Sequence, residues 1–497
     1  MDELEEILIK LNGEMFLSLF REGGFTRESM MLLKPSHLDT LIDAAQFGPR
    51  IIFEHNLLNW QTEQGVHVQT AQSDEGASFA NASIAEVELI YKHKHKTLEE
   101  ILRGSVSGSQ VLKYYSKTKV LTPKYRKLLA ATIANYLISS GVNSSPKTFE
   151  SFASQISNFF LSESKDIYYI HKKGKKPGGC LYTKYHSTLF KCRQDGIINK
   201  KPAEEKPQKA AHSNLCTTDY TQEKSWLKYN VEPFDEVQIK WELTFEVRCQ
   251  MLQDDSNLNK ILEEWPLYKQ SFGHLLIETD FNKLYPEKKN LLFEKWENFS
   301  QAVRHIFEIY IKDSHSLTTW KQFKEGTIKA EGTDAVTCYL LHSVLVPTSR
   351  EYKTCKQTKK QHLVKATIED SRNSFLIWAT TNCELQSKLK LMVDENYKGK
   401  STIQPIICAI GMSLFESNEY FVYFANIFYK FDNVIKCIDV CFKIFHVLNL
   451  KYPSECKSIW FFIQQYFYDI ALESHEKSTS LCAILSDLKQ FKCFNNN

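Results

Sequence analysis

The arrangement closest to a catalytic site lies near the C-terminus and consists of two thiols and one imidazole. Cys437 and Cys441 are spaced i, i+4 within an apolar helical pattern, and His446 follows about one turn later. A thiol beside an imidazole is a pair that nucleophilic catalysis uses. The apolar neighbours would raise a thiol pKa, however, and no adjacent charge would lower it. We therefore interpret all three residues as packing groups of a helix core.

The other titratable residues give no stronger signal for a catalytic or metal site. His93 and His95 alternate with lysines, whose ammonium charges oppose the binding of a metal cation. The carboxylate pairs Asp254–Asp255 and Glu263–Glu264 fit a charged turn and a helix surface. No HExxH, GxSxG or protein-kinase motif occurs in the sequence. We predict a non-enzymatic protein with no catalytic residues, no metal and no cofactor.

The residues most favourable for binding are cations between positions 110 and 201. This stretch contains 17 Lys and Arg against 4 Asp and Glu, although the whole chain has a net charge of only +3. It combines helical patterns with a basic, glycine-rich turn at 171–179. Lysine supplies charge for phosphate, glycine lets a backbone approach, and tyrosine can stack on a base. The candidate nucleic-acid or polyanion-binding residues are Lys172, Lys173, Lys175, Lys176, Lys184, Lys191, Arg193, Tyr182 and Tyr185.

A second interpretation of this basic stretch stays open. Its lysines also fit a solvated surface, and Tyr168, Tyr169, Tyr182 and Tyr185 also fit the edge of a core. The turn is not a nucleotide-binding P-loop, because it lacks the Gly-Lys-Ser/Thr ending. Clustering of the cations on one face would favour nucleic-acid binding, whereas their dispersal would favour an ordinary surface.

Composition predicts a soluble protein of the nucleus or cytoplasm. Hydrophobic residues make up 43% and charged residues 24% of the 497, which is ordinary for globular domains. The 13 cysteines form no CxxC pair and indicate reduced thiols. The acidic start is unlike a targeting peptide, and the most apolar run, 459–472, is too short to span a bilayer. We expect no membrane partner.

The elements that would position these residues are mainly α-helical and fall into several predicted domains. In chain order they are a five-helix bundle (1–62), a disordered linker (63–105), a basic helical domain (106–201), a second linker (202–226), a helical domain (227–348) and an α+β domain (349–497). In the α+β domain we predict buried strands at 374–378, 403–410 and 421–429 in a mixed sheet, and a helix near 384–393. Two buried helices would follow, and the basic residues of 350–365 predict a solvated loop.

The first 62 residues resemble the sterile alpha motif (SAM) family. The residues that carry the resemblance are Phe16 and Phe20, Phe25-Thr26, Leu32-Leu33, Leu38 and Leu41, and Gly48-Pro49-Arg50. The family's first-helix tryptophan is absent, and Ala44-Ala45-Gln46-Phe47 stands where Leu-Gly-Ile is typical. The resemblance implies an adaptor that pairs with itself or with another SAM domain, and a minority of the family bind RNA hairpins.

Longer strings in the rest of the chain resemble uncharacterised animal proteins that contain a SAM domain. They are Leu181-Tyr182-x-Lys184-Tyr185 and the runs 441–450 and 460–464. This resemblance implies no further activity. The sequence thus predicts a scaffold or regulator that self-associates and binds DNA, RNA or another polyanion. The alternatives are an adaptor without nucleic-acid binding and, if the C-terminal unit holds a deep polar pocket, an enzyme of unfamiliar type.

Overall fold

A computed structural model describes most of the chain, and its contacts divide residues 1–94 from 95–497 as two compact units. The described residues are 2–33, 38, 41–42, 53–54, 56–57, 60–61, 96–141, 144–194, 220–254, 258–354, 361–398 and 404–495. They are mainly helical, with a small mixed sheet near the C-terminus, and this confirms the predicted fold class at that level. None of the described helices is long and apolar enough to cross a membrane.

The first unit begins with short, capped helices around an aromatic core. The helices are α1 (Glu3–Lys10), α2 (Leu17–Glu22) and α3 (Arg27–Leu32). The Asp2 carboxylate accepts a hydrogen bond from the Glu5 amide at 2.8 Å and so satisfies a free donor of α1. The rings of Phe16 and Phe20 each lie 5.5 Å from that of Phe53. Residues 48–50, which carry part of the SAM resemblance, lie outside the described residues.

The basic segment forms a helical module, defined here as residues 96–194. Its helices are α4 (Leu98–Arg103), α5 (Val106–Thr118), α6 (Pro123–Ser139), α7 (Pro146–Phe159), α8 (Lys165–Tyr168) and α9 (Cys180–Gln194). The predicted linker 63–105 ends too late, because Thr97 caps α4 and Leu98, Ile101 and Leu102 are buried in the module's core. The linker at 202–226 also ends too late, since helix α10 (Thr221–Tyr229) begins within it.

The main hydrophobic core of the second half runs from Leu227 to Leu488 and crosses the predicted boundary at 348. A second, smaller cluster includes Leu385, Leu389 and Cys408. The first helices of the main core after α10 are α11 (Phe234–Leu243), α12 (Phe245–Asp254), α13 (Leu258–Glu264), α14 (Gly273–Leu284), α15 (Leu291–Tyr310), α16 (Ser314–Lys324) and α17 (Thr333–Val344). The buried Trp241 and Trp265 rings pack edge-to-face at 5.7 Å in this core. The structure therefore joins the two domains predicted for 227–348 and 349–497.

The four-stranded sheet has the order β3 (Leu376–Ala379), β4 (Ile406–Gly411), β5 (Ser417–Phe424) and β6 (Ile427–Phe431). The first pair is parallel, and helix α19 (Asn382–Lys398) connects its strands. The other pairs are antiparallel. Ala425 and Asn426 join β5 to β6 with positive φ values of 51° and 66°, as a type I′ hairpin turn requires. Strands β3 and β4 and the connecting helix confirm the sequence prediction. The single strand predicted at 421–429 is wrong, because this stretch forms the β5–β6 hairpin with its turn at Ala425 and Asn426.

Three helices complete the core: α20 (Val434–Val447), α21 (Lys457–Tyr466) and α22 (Thr479–Asn495). The first two confirm the predicted buried pair, and α22 was not predicted. The loop predicted at 350–365 is wrong in part, because β1 (Arg350–Thr354) and β2 (Gln361–Lys365) pair antiparallel. A short helix, α18 (Ile368–Asn373), leads from this hairpin into β3.

Candidate nucleic-acid interface

The tyrosines of the basic module pack around one phenylalanine of α7. The rings of Tyr169, Tyr182 and Tyr185 lie 5.8, 5.3 and 5.3 Å from that of Phe149. Tyr185 is only 5% exposed, so its ring is not available to stack on a base, and that part of the predicted site is wrong. Tyr182 is half-buried and also lies against His186 at 4.2 Å. The aromatic cluster positions the basic residues but offers little surface for bases.

The glycine-rich turn is closed by a pair of backbone hydrogen bonds. The amides and carbonyls of Ile170 and Gly178 bond to each other at 3.0 and 2.9 Å. Gly179 has a φ of +105°, and a Cβ atom there would lie 2.2 Å from the carbonyl oxygen of Tyr168. Only glycine fits this approach of two backbone segments. The lysines between 172 and 176 therefore lie on a turn whose two ends are held together by backbone hydrogen bonds.

The predicted cations all point away from the core of the module. Lys173, Lys175, Lys176, Lys184, Lys191 and Arg193 are exposed, and Lys172 is half-buried. We call these seven residues the basic face. On α9, Lys184 and Lys191 share one side of the helix, whereas Arg193 projects from the opposite side. Within the described part of the chain, none of the seven forms an ion pair with a carboxylate. No described carboxylate therefore compensates their charges through an ion pair.

Two pKa shifts reflect the positive charge around the turn and the helix α9. Burial, together with the charges of Arg193 and Lys176, lowers the pKa of His186. Burial, together with the charges of Lys175 and Lys457, lowers the pKa of Lys172. The charges of Lys176, on the turn, and of Arg193, on α9, therefore both act on the His186 ring. Lys457 belongs to α21, and sequence reasoning missed it because nothing in its spacing links it to residue 172.

A buried arginine joins the module to the C-terminal helix α22. The Arg126 guanidinium donates to both carboxylate oxygens of Glu163 at 2.7 and 2.9 Å and to those of Asp487 at 2.5 and 3.2 Å. It also donates to the Tyr310 hydroxyl at 3.1 Å. Although burial opposes the charge, hydrogen bonds to the two carboxylates raise the pKa of Arg126. The module that carries the basic face therefore belongs to the second compact unit, residues 95–497, and is not a separate domain. We call this second unit the large unit.

The residues considered for catalysis are placed in the core. Cys437 and Cys441 are fully buried, and burial raises both thiol pKa values. The His446 ring is hydrogen-bonded to the hydroxyls of Tyr285 at 3.1 Å and Tyr452 at 2.8 Å, and burial lowers its pKa to about 4. This confirms their interpretation as packing groups.

The charged pairs considered for metal binding also fall into ordinary surroundings. Glu264 forms an ion pair with Lys224 at 2.8 Å. His93 and His95 and the side chains of Asp254 and Asp255 lie outside the described residues. Across the described ranges, no three His, Cys, Asp or Glu side chains are grouped so that they could hold a metal ion.

Comparison with known proteins identified no relative of this chain. No family model, no curated protein and no solved structure matches the chain. The functional argument therefore rests on the geometry and charge described above.

Proposed function

We propose that the protein is a non-enzymatic scaffold that binds nucleic acid or another polyanion through its basic face. The observation that carries the proposal is a set of seven cations, none of them in an ion pair with a described carboxylate. They lie on a turn that backbone hydrogen bonds close and on the adjoining helix α9. Each phosphate that such cations neutralise releases condensed counterions, which favours binding. A fixed turn also loses less conformational entropy on binding than a flexible loop would.

The expected contact is with the phosphate backbone rather than with base edges. Tyr185 is buried, and the Tyr182 ring is packed against Phe149 and His186. Lysine also contacts phosphate as a point charge, without the bidentate geometry that reads a base. We therefore infer binding that depends strongly on salt and weakly on sequence, to DNA, RNA or a comparable polyanion.

The test is fluorescence anisotropy of labelled single-stranded and duplex DNA and RNA with the full chain. The turn variant replaces Lys172, Lys173, Lys175 and Lys176 with Ala. The remote variant, as the control, replaces four exposed lysines outside the module, Lys269, Lys312, Lys390 and Lys451, with Ala. Both variants lose four positive charges. A difference in affinity between them therefore reports contacts made at the turn and not the overall charge of the protein.

We expect the turn variant to lose at least tenfold in affinity and the remote variant to change little. Equal losses in the two variants would contradict a localised site. Absence of binding by the wild type at about 50 mM salt, where phosphate contacts are strong, would leave the alternative of a protein–protein adaptor.

We further propose that residues 1–62 are a SAM-like domain through which the chain associates with itself or with another SAM domain. Besides the residue resemblance, the support is that three large apolar side chains of this unit are exposed. Ile9 is 41%, Met15 52% and Leu32 72% exposed. Apolar surface of this kind is typical of interaction sites when it is contiguous.

Self-association is tested by light scattering of the full chain across a concentration series. Leu32→Glu adds a charge at an exposed helix end and is expected to shift the population toward monomer. Leu161→Glu, at a position that is 86% exposed in the other unit, is the matched control. A wild-type chain that stays monomeric, or equal effects of both variants, would refute the proposal for this surface.

We infer a reducing compartment, the nucleus or the cytoplasm, for this activity. The ten cysteines whose side chains the structure describes are unpaired thiols. Persistent free thiols are typical of proteins that glutathione and thioredoxin keep reduced.

A further inference from the structure

The large unit contains a cavity of about 560 Å³ that the basic face does not touch. It lies among α16, α17, α18, α19 and β3, and its aromatic lining comes from Tyr339, Phe375, Trp378 and Phe415. Pockets for small organic ligands have volumes of roughly 300 to 1,000 Å³ and are mostly apolar with a few placed polar groups. The cavity therefore has the size and the lining of a small-molecule site.

Arg372 is the main polar group of this cavity. Its guanidinium carbon lies 3.5 Å from the centre of the Tyr339 ring, and the side chain is buried. Nη2 donates to Ser316 Oγ at 2.7 Å and to Ser343 Oγ at 3.0 Å, and Nε donates to the Tyr339 carbonyl at 3.3 Å. These bonds fix the guanidinium plane, so the remaining nitrogen, Nη1, is held in one position.

Arg372 Nη1 has donors that the described residues leave unused. The exposed Glu369 carboxylate lies 3.5 Å from Nη1 and makes no hydrogen bond with it. Nη1 can therefore exchange this long ionic contact for a hydrogen bond to an acceptor atom of a ligand. The amides of Asn373 and Gln322 also line the cavity and offer both donors and acceptors.

The charges of the cavity are balanced, and this favours an uncharged ligand. Arg372 faces Glu369, and Lys388 forms an ion pair with Glu384 at 2.7 Å. Burial lowers the pKa of His342 to about 3, so this ring is neutral near pH 7. Burial also raises the pKa of the Cys338 thiol, which leaves it protonated. With Arg372 and Lys388 each beside a carboxylate and with His342 and Cys338 neutral, the cavity favours binding over catalysis.

We propose that this cavity binds an uncharged, planar heteroaromatic ring of nucleobase size. Aromatic walls bury the faces of such a ring, Arg372 Nη1 donates to a ring nitrogen or carbonyl, and the amides of Asn373 and Gln322 bond its edge. The proposal is independent of polyanion binding by the basic face.

The test is saturation-transfer NMR of the full chain with adenosine, guanosine, cytidine and uridine, and with ribose as a ligand that lacks the ring. We expect saturation of ring protons for at least one nucleoside and none for ribose. Titration of that nucleoside then gives a dissociation constant for each variant. Failure of all four nucleosides at millimolar concentration, or equal saturation of ribose, would overturn the proposal.

Variants locate the site. Arg372→Met keeps an aliphatic side chain beside Tyr339 and removes the charged hydrogen-bond donor. We expect the affinity to fall about tenfold or more, which is the contribution of a hydrogen bond from a charged group. Because Arg372 is buried and its loss can affect folding, the exposed Asn373→Ala is the second variant, with an expected loss of about fivefold for one neutral hydrogen bond. Lys390→Ala, an exposed change outside the cavity, is the control. Binding that both cavity variants leave unchanged would place the ligand elsewhere and refute this site.

Discussion

Replacement of Arg126 by Met is expected to destabilise the large unit strongly. The guanidinium has five N–H donors, and the structure gives an acceptor to each of them: four contacts to Glu163 and Asp487 and one to Tyr310. The side chains of Arg126 and Glu163 are 5% and 0% exposed. Without the arginine, the Glu163 carboxylate would retain hydrogen bonds from Tyr168 at 2.8 Å and Ser162 at 3.3 Å but no counter-charge.

The expected loss follows from the cost of an uncompensated buried charge. Removal of one partner of a buried ion pair lowers the free energy of unfolding by about 3 to 5 kcal/mol. The value for Arg126→Met belongs in the upper half of this range, because Asp487 loses the same partner. Asp487 is 15% exposed and keeps the Tyr310 hydroxyl at 2.7 Å, so its share of the loss is the smaller one.

The assay is urea unfolding of the full chain followed by tryptophan fluorescence. Seven of the eight tryptophans lie in residues 95–497, so the signal reports mainly on the large unit. Arg103→Met is the matched control, because its ion pair with Glu99 at 2.6 Å is largely exposed and contributes little. An unfolding midpoint of Arg126→Met equal to that of the control would refute the reasoning.

The loss of stability in Arg126→Met should also depend on pH, and the environment of Glu163 determines in which direction. Burial raises the pKa of Glu163 even in the wild type, where Arg126 opposes the shift. In Arg126→Met this opposition is gone, so the folded-state pKa rises further above its unfolded value. A raised carboxyl pKa gives stability that is present below the unfolded pKa and lost as pH rises through the folded pKa. The deficit of the variant relative to wild type should therefore shrink between about pH 8 and about pH 5, and a constant deficit would contradict the assignment.

Three further predictions concern other parts of the chain. Gly179→Ala should lower the melting temperature more than Gly174→Ala, because its Cβ would lie 2.2 Å from the Tyr168 carbonyl, whereas Gly174 has open space. Equal shifts would contradict the close approach. Cys383→Ser should remove one fast-reacting equivalent of a thiol reagent, since this thiol is exposed. The buried His446, with its pKa lowered to about 4, gives stability that is present above the unfolded pKa and lost as pH falls toward 4. His446→Gln should therefore reduce the acid dependence of the urea midpoint between about pH 6.5 and pH 4.

Local periodicity was sufficient to predict the elements with long apolar patterns. The helix α20 and the strand β4 are apolar on nearly all sides and nearly all their residues are buried, so sequence and burial agree. The hairpin at 350–365 was missed because its strands carry charged residues in place of an alternating apolar pattern. Helix α22 was missed because its apolar residues are fewer and mixed with polar ones.

The contacts that position the basic face are harder to predict, because they join residues far apart in the chain. Arg126 and Asp487 are 361 positions apart, and no local pattern indicates that they meet. The charge of Lys457, on α21, likewise acts on Lys172 from a distant part of the chain. The exposure of the lysines followed from their charge, whereas the burial of Tyr185 depended on its contact with Phe149. A charge pattern predicts a surface, but tertiary packing decides which aromatic side chains remain on it.

Salt dependence of binding measures directly whether the basic face contacts phosphates. The logarithm of the association constant, plotted against the logarithm of salt concentration, falls by about 0.9 per phosphate contact on duplex DNA and about 0.7 on a single strand. If each of Lys172, Lys173, Lys175 and Lys176 neutralises a phosphate, the turn variant should have a duplex slope that is shallower than wild type by about 3 to 4. The remote variant should keep the wild-type slope. A turn variant with an unchanged slope would contradict the proposal that these lysines bind nucleic acid.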